Sequence, residues 1–241
     1  MSPRLIIIVI LSFLVGIALA TFAEFRVFFP ELLRGAWVTI QLTVCGALLA
    51  VTAALIAAVG KMYGPRWVRW LAISYIEVFR GTSALVQLFW LFFVLPYFGI
   101  TLEPFAVGVA ALGLNIGAYG AEVIRGAIQS VDKGQWEAAT ALNLSRMQTL
   151  RRIVFPQAFL VMIPPWGNLF IELLKGTALV SMITLGDLAF KAQQLNQSTL
   201  RTVEIFSIVL IMYLCMSMVI SALMRALEQR ASKGLMRGRA N

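Results

Sequence analysis

Three ionisable residues lie inside or beside long apolar stretches, where a charged side chain is costly. They are Glu122, Glu172 and Lys175. Charged groups at membrane depth are rare, and by default they mark substrate paths or paired sites. Glu172 and Lys175 are three positions apart, so a helix would present them on one face. Two interpretations stay open: an ion pair that positions the helix, or groups that line or gate a cavity for a zwitterion.

Uncharged polar residues also lie inside or beside the apolar stretches. In addition, a pair of charged residues directly precedes one of these stretches. The uncharged residues are Gln87, Asn115, Asn168 and Thr177. Each is predicted either to hydrogen-bond between helices, which is the commoner role in membrane bundles, or to line the same path. Glu77 and Arg80 are helix neighbours and are predicted to form a structural or gating pair.

The amino-acid composition indicates that the chain, with these polar residues, is embedded in a membrane. Of 241 residues, 60% are hydrophobic and 13% are charged, whereas soluble domains have about 45–50% apolar and about 25% charged residues. Such a chain must expose most of its surface to lipid. The net charge of +9 would suggest nucleic acid in a soluble protein, but basic residues also collect on cytoplasmic loops, so no nucleic acid is required.

Several kinds of chemistry are excluded by the residues themselves. The sequence contains no histidine, which removes histidine metal sites and histidine acid–base catalysis. Cys45 and Cys215 lie in separate apolar runs and are predicted to be buried thiols. We predict no catalytic residue, no metal ligand and no cofactor in this chain. There is no G-x-x-x-x-G-K-[ST] phosphate loop, and four glycines are predicted to permit close helix packing: Gly108, Gly113, Gly117 and Gly120.

Six uncharged stretches approach the length of about 20 residues that a membrane-spanning helix needs. They cover residues 5–23, 35–60, 81–102, 104–121, 153–171 and 205–224. None alternates like a barrel strand, so the predicted fold class is an all-α integral membrane protein with about six transmembrane helices. The stretch 5–23 also resembles a signal peptide. It is either a retained helix, which we favour, or a cleaved leader.

Basic residues predict the orientation, and a shorter apolar stretch predicts a helix break. With the N-terminus inside, 15 of the 20 Lys and Arg residues fall on cytoplasmic segments and four on outer segments, as the positive-inside rule requires. Both termini are therefore predicted to be cytoplasmic, with 230–241 as a basic tail near anionic lipid. The short stretch 176–186 follows Pro164-Pro165 and predicts discontinuous helices that line protein or water.

The longest cytoplasmic loop, about 128–156, carries the signals of two short helices. Asp132 and Ser145 each precede a Gln by three positions, as in a capping box. Asn143 suits the left-handed conformation that ends a helix, and the second helix is predicted to end near Pro156.

The first of these helices has the composition of a docking surface. Trp136 offers a large anchor, and small residues beside it let another backbone approach closely: Ala138, Ala139 and Ala141. This pattern predicts a soluble cytoplasmic partner. A helix lying on the lipid headgroups is the alternative.

The loop resembles that of a known family. Glu137-Ala138-Ala139, Ile153 and Pro156 have the spacing of the E-A-A…G…I-x-L-P loop of ATP-binding-cassette (ABC) importer permeases, with Asn143 at the usual Gly and Phe155 at the usual Leu. Further segments are similar to the polar amino acid uptake subfamily. They cover about 30–229 and are Glu77–Thr82 with Gln87 (Ser83 stands where Pro is usual), Gly117–Glu122, Arg125–Ile128, Gly134–Glu137, Pro156–Ala158, Pro164-Pro165, Asn168 and Lys175–Leu179.

The resemblance implies a five-helix type I importer permease core over 30–229. An N-terminal transmembrane helix or uncleaved signal-like segment, 1–29, would precede it, and the tail 230–241 would follow. It implies a permease subunit in a bacterial inner membrane that imports a polar amino acid or a similar zwitterion, such as ectoine, by alternating access.

The same resemblance implies partners and a coupling surface. ATP and Mg would act in a cytoplasmic ABC ATPase dimer, an extracytoplasmic binding protein would deliver solute, and a second permease subunit would be related to this chain or be a second copy of it. The implied ATPase-coupling residues are Gly134, Gln135, Trp136, Glu137, Ala138, Ala139, Leu142, Asn143 and Pro156. The alternative function is a secondary transporter that works without an ATPase, which would need internal repeats and its own coupling-ion site.

Overall fold

Helices account for almost all of the chain that the structure describes. The computed structural model describes residues 25–239, with side chains over 28–232, so the stretch 5–23 and the segment 1–24 lie outside it. The described residues form nine α-helices: α1 (Phe25–Tyr63), α2 (Arg66–Gly81), α3 (Ala84–Phe89), α4 (Pro104–Gln129), α5 (Lys133–Ala141), α6 (Arg146–Thr149), α7 (Phe155–Gly176), α8 (Leu188–Thr199) and α9 (Thr202–Arg239).

Five of the six predicted stretches correspond to candidate spans. Four helices are long and apolar enough to cross a membrane, and a helix pair bent by 107° would make a fifth span. The helices are Phe28–Tyr63, Pro104–Gln129, Arg146–Ile183 and Thr202–Ser232, and the bent pair is Arg66–Gly81 with Ala84–Phe98. The predicted all-α membrane fold class is confirmed, and no strand occurs within 25–239.

Glycines on α4 let its neighbours approach closely, as predicted. A Cβ atom at Gly113 would lie 3.0 Å from the Gly46 carbonyl oxygen of α1. A Cβ atom at Gly120 would lie 2.5 Å from the Trp166 ring of α7. Small residues draw membrane helices together because dispersion contacts replace the hydrophobic driving force in lipid. Helix α4 is therefore the centre of the bundle.

Buried apolar side chains form two clusters in the described residues. The main cluster joins α1 to α4 and α7 through side chains such as Leu42, Leu112 and Leu173. A smaller one, called the α8 cluster below, joins the first part of α1 to α8 and α9. It consists of Leu32, Ala36, Leu188, Ala192, Ile205 and Val209. Helix α8 therefore packs on α1 and α9 and has no buried residue in the main cluster.

Two predicted helix ends are wrong. Helix α7 runs through Pro164 and Pro165 without interruption. The second loop helix does not end near Pro156, because a π turn at Leu150–Val154 links α6 to α7. A π turn widens the backbone and accommodates the proline, which has no N–H to donate. The predicted discontinuity lies further on, where a 3₁₀ segment, Thr177–Ile183, follows α7.

The environment of the two cysteines also differs from the expectation. Cys45 and Cys215 are free but exposed on helix surfaces. An apolar run marks a side chain as suited to an apolar environment, but it does not distinguish the protein interior from lipid. On the outer face of a membrane helix lipid supplies that environment.

Candidate functional site

The loop helix α5 has the caps that its sequence predicts. The Asp132 carboxylate accepts a hydrogen bond from the Gly134 N–H at 2.7 Å. Asn143, just past the helix, has the left-handed φ of 55°. Ser145 and Gln148 form a complete capping box on α6. The predicted box at Asp132 does not form, because its carboxylate accepts from Gly134 and not from Gln135. These caps fix both ends of α5 and make it a rigid element.

The exposed face of α5 differs from the predicted docking face. Ala139 is 0% exposed, and Trp136 packs against the main cluster, so both residues join α5 to the bundle. The side chains that remain open to a partner include Glu137, Ala138 and Leu142. Leu142 is 72% exposed, and it is the apolar anchor that this face offers.

Gln87 and Asn115 form a polar network where α2 ends. The last carbonyl groups of a helix lack partners within the helix. The Phe79 carbonyl oxygen accepts from Gln87 Nε2 and from Asn115 Nδ2, each at 2.9 Å. Asn115 Nδ2 also lies 3.2 Å from Gln87 Oε1, and Thr82 Oγ1 donates to the Val78 carbonyl at 2.7 Å. The network therefore caps the 107° bend between α2 and α3 from three helices.

Glu77 and Arg80 do not form the expected ion pair. Both residues are exposed, and no carboxylate–guanidinium contact within 4 Å joins them in the part of the chain that the structure describes. The Arg80 guanidinium lies 5.3 Å from the centre of the Tyr119 ring instead. The ring face attracts the cation, which turns Arg80 toward α4 and away from Glu77.

Glu122 lies in a compact ion-pair cluster between α1 and α4. Its Oε1 lies 2.6 Å from Lys61 Nζ, and its Oε2 lies 2.7 Å from Arg125 Nη2. Arg125 also donates to Gln129 Oε1 at 2.6 Å. The cluster joins the last turn of α1 to the part of α4 that precedes α5. These contacts favour a structural role for Glu122, in which it supports the position of the loop helix, over a role in lining the solute path.

The polar residues of α7 form an open stripe, called the α7 stripe below. Asn168, Glu172 and Lys175 are all exposed and lie at intervals of three or four residues along α7. No ion pair joins Glu172 to Lys175 among the described residues, so the paired interpretation has no support in this geometry. Thr177 is different because it is 0% exposed and donates to the Leu174 carbonyl at 2.7 Å.

A buried acidic residue was missed by the sequence analysis. Asp187 is 0% exposed, and it caps α8 by accepting from the Phe190 and Ala189 N–H groups at 2.9 and 3.3 Å. Burial raises the pKa of Asp187 to about 6, against the lowering effect of these backbone bonds. The signal was its place directly after the apolar stretch 176–186.

Comparison with known proteins identifies the family. Residues 50–233 match the model of the family described as "Binding-protein-dependent transport system inner membrane component". The chain belongs to this family. The similar members of this family are permease subunits of ABC importers, so the protein is a multi-pass membrane subunit of such an importer. The alternative of a secondary transporter that works without an ATPase is not favoured.

Curated relatives cover most of the chain. It is 47% identical over 206 residues to the "Probable amino-acid ABC transporter permease protein y4tF" of Sinorhizobium fredii, with 83% of this chain and 87% of the relative covered. It is 39% identical over 207 residues to the "L-cystine transport system permease protein TcyB" of Bacillus subtilis, with 86% and 88% covered. It is 36% identical over 203 residues to the "Glutamine transport system permease protein GlnP" of Escherichia coli, with 83% and 93% covered.

Solved structures agree with the family. The permease is similar to a chain of "Crystal structure of an amino acid ABC transporter with histidines", with a TM-score of 0.81 and 37% identity over 87% of this chain and 98% of the other. The fold alone is shared with a chain of the MetNI methionine ABC transporter, at a TM-score of 0.71 and 16% identity.

Proposed function

We propose that the permease imports a polar amino acid or a similar zwitterion, powered by ATP and Mg in separate cytoplasmic ATPase subunits. An extracytoplasmic binding protein delivers the solute, and both termini of the permease are cytoplasmic. The substrate class is supported by the relatives, whose names include cystine and glutamine transport. A compatible solute such as ectoine belongs to the same zwitterionic class.

The observation that carries the coupling role is the exposed face of α5. Caps at both ends hold α5 rigid, Ala139 and Trp136 seat it on the bundle, and Glu137 with Leu142 stays open. A rigid helix seated in this way transmits rotation of a docked ATPase to the spans, whereas a flexible loop would absorb it.

The α7 stripe is the part of the solute path that this chain contributes. A carboxylate and an ammonium group three residues apart, Glu172 and Lys175, offer opposite charges to the two ends of a zwitterion. Gln87 and Asn115 are bound to the Phe79 carbonyl, so their contribution is to shape the path at the α2–α3 bend. An exposed polar stripe at membrane depth requires cover from protein or water, not lipid.

A second permease subunit supplies that cover. A related chain is favoured over a second copy, because the same organism, Sinorhizobium fredii, has two similar permeases, y4tF and y4tG, at 47% and 36% identity to this chain. Paired related permeases of this kind form a path that differs on its two sides.

The coupling role is tested by Glu137→Lys, which reverses the charge on the open face of α5. We expect this variant to insert into the membrane normally and to lose co-purification of the ATPase. Glu103→Lys is the matched control, because Glu103 is exposed and precedes α4 at the opposite membrane face from α5. Normal co-purification with Glu137→Lys would remove α5 as the docking element.

The transport function is tested in liposomes that contain the complete transporter. Uptake of an amino acid should require internal ATP and the binding protein, and a thermal-shift screen of that binding protein identifies the solute. Glu172→Gln and Lys175→Gln should lower uptake or solute-stimulated ATP hydrolysis. Wild-type values in both assays would remove the α7 stripe from the path, and uptake by the permease alone without ATP would overturn the importer assignment.

A further inference from the structure

A buried polar cluster, called the Asp187 joint below, lies beside the α8 cluster. It consists of Thr39 on α1, Thr177 in the 3₁₀ segment, Asp187 at the start of α8, and Tyr213 on α9. Thr39, Thr177 and Asp187 are each 0% exposed. These residues belong neither to the open face of α5 nor to the α7 stripe, so coupling and solute binding leave them unexplained.

Backbone donors at the start of α8 hold the Asp187 carboxylate, and the nearby Tyr213 hydroxyl also acts to lower its pKa. Its two oxygens accept from Phe190 and Ala189 N–H groups. Lys191, one turn into α8, is bound to Glu31 on α1 at 3.1 Å. Further ionisable groups on the elements packed around α8 are Arg34 on α1, Arg201 just before α9 and Glu204 in the first turn of α9. The α8 donors offset part of the cost of burial, and the pKa of Asp187 stays raised, at about 6.

Tyr213 brings an unused donor to the joint. Its hydroxyl group is buried and makes no hydrogen bond within the described part of the chain, although Thr39, Thr177 and Asp187 surround it. Leaving a buried hydroxyl unpaired is costly. A small shift of α9 relative to α8 would let Tyr213 donate to the Asp187 carboxylate. The joint could therefore adopt a second arrangement, with this bond formed, besides the open one that this structure contains.

The joint connects α8 to the segment that continues α7. Thr39 Oγ1 accepts from the Leu188 N–H at 3.1 Å, and a Cβ atom at Gly35 would lie 2.8 Å from the Asp187 carbonyl oxygen. These contacts seat α8 on α1. Thr177 stands on the other side, at the start of the 3₁₀ segment that follows the α7 stripe. The joint therefore lies between α8 and the segment that continues α7.

We propose that Asp187 is a positioning residue for transport, whose hydrogen bond with Tyr213 forms in one state of the cycle and opens in another, and so sets where α8 lies relative to α7. The proposal rests on the proposed function, because it needs a cycle in which the spans shift. In the open arrangement the buried carboxyl group takes a proton from solvent more readily. In the bonded arrangement the Tyr213 hydroxyl stabilises the carboxylate, and the proton returns to solvent.

The first test uses the complete transporter in liposomes. Asp187→Asn keeps the size of the cap and removes the charge, and Tyr213→Phe removes only the hydroxyl group. Glu103→Gln and Tyr97→Phe are matched controls, because both residues are exposed. Initial uptake rates are measured against solute concentration from about pH 5 to about pH 8, a range centred near the Asp187 pKa of about 6.

We expect the wild-type maximal rate to change through about pH 6. Both joint variants should lower that rate about tenfold, the effect of losing one charge-assisted hydrogen bond, with the half-saturating concentration unchanged. Asp187→Asn should also remove the pH step, and the controls should match the wild type. The proposal would be overturned if the Asp187→Asn variant lost uptake only in proportion to its loss of folded complex and kept the wild-type pH profile. Asp187 would then be a structural cap.

A second test needs no transport. Hydrogen exchange of the α8 amides, 188–199, is measured in the purified complex without ATP or solute and corrected for the intrinsic effect of pH. Protection should change through about pH 6 in the wild type and not in Asp187→Asn. An equal response in both proteins would overturn the proposal. If no amino acid is imported while the α8 response is lost only in Asp187→Asn, the proposed solute class is wrong and the joint is upheld.

Discussion

At the residue scale, the amide group of Asn115 stabilises the end of α2, a role that its position in a span does not predict. Its side chain is 7% exposed and donates to a main-chain carbonyl group of α2. From the sequence alone, Asn115 and Asn168 have the same two possible roles. Only the structure separates them, because the acceptor of Asn115 lies 36 positions away, whereas Asn168 is exposed.

Asn115→Ala should destabilise the bundle. The change removes one of two donors from the Phe79 carbonyl and leaves Gln87 Oε1 without its donor, which costs about 1–3 kcal/mol for a buried group. We expect a lower Tm for the detergent-solubilised permease. Asn168→Ala is the matched control and should leave the Tm unchanged. Equal Tm values for the two variants would contradict the capping role of the network.

Two glycines of α4 give opposite predictions for the same substitution. Gly120→Ala would place a Cβ atom 2.5 Å from the Trp166 ring, whereas Gly126 has nothing within 4 Å of its Cβ position. Overpacking costs about 1–3 kcal/mol, and replacing an open helical glycine gains up to about 1 kcal/mol. Thermal unfolding should therefore show a lower Tm for Gly120→Ala and an equal or higher Tm for Gly126→Ala. A rise in both would mean that α7 lies further from α4.

At the element scale, the sequence predicted the helix caps correctly, but it did not predict the bend after α2 or the continuity of α7. The caps at Asp132, Asn143 and Ser145 depend on residues within a few positions, and each is present. The 107° bend after Gly81 was missed, since the groups that stabilise it come from α3 and α4. A double proline predicted a break in α7 that neighbouring helices prevent, as membrane bundles commonly do.

The ion-pair cluster around Glu122 is expected to stabilise the packing of α1 against α4. Glu122→Gln should leave Lys61 and Arg125 without their shared carboxylate and cost about 1–3 kcal/mol, between the values for exposed and buried pairs. The Tm should fall, and the additional loss from Lys61→Gln should be small in the double variant because the partner is already gone. Glu77→Gln is the control, since Glu77 is exposed and lacks an ion pair in the described range. Additive losses would show that the Lys61 contact is not coupled.

At the scale of the whole molecule, the division into two apolar clusters could not be predicted from the sequence. Hydrophobicity is nearly uniform along the spans, so it identifies helices without showing which faces meet. The α8 cluster joins Leu32 to Ile205 across most of the chain, and Leu188 N–H reaches Thr39 over 149 positions. The family resemblance predicted a coupling loop, yet it gave no indication of Asp187, which directly follows a stretch too short to span a membrane.

Asp187 also makes the stability of the whole permease depend on pH. Its pKa is about 6 in the folded protein and 3.8 in the reference state. Below about pH 4 both states carry the proton. As pH rises, the unfolded chain releases it first, so the stability contribution present at low pH is lost between about pH 4 and about pH 6. Above that range the contribution is constant.

Asp187→Asn should remove this part of the pH dependence. We expect the wild-type Tm minus the variant Tm to fall as pH rises from about 4 to about 6 and then to level off. The measurement is thermal unfolding of the isolated permease over that range, with Glu103→Gln as the exposed control. A difference that grows with pH would mean that the folded protein stabilises the carboxylate, as it would if the Tyr213 bond were already formed in the isolated subunit.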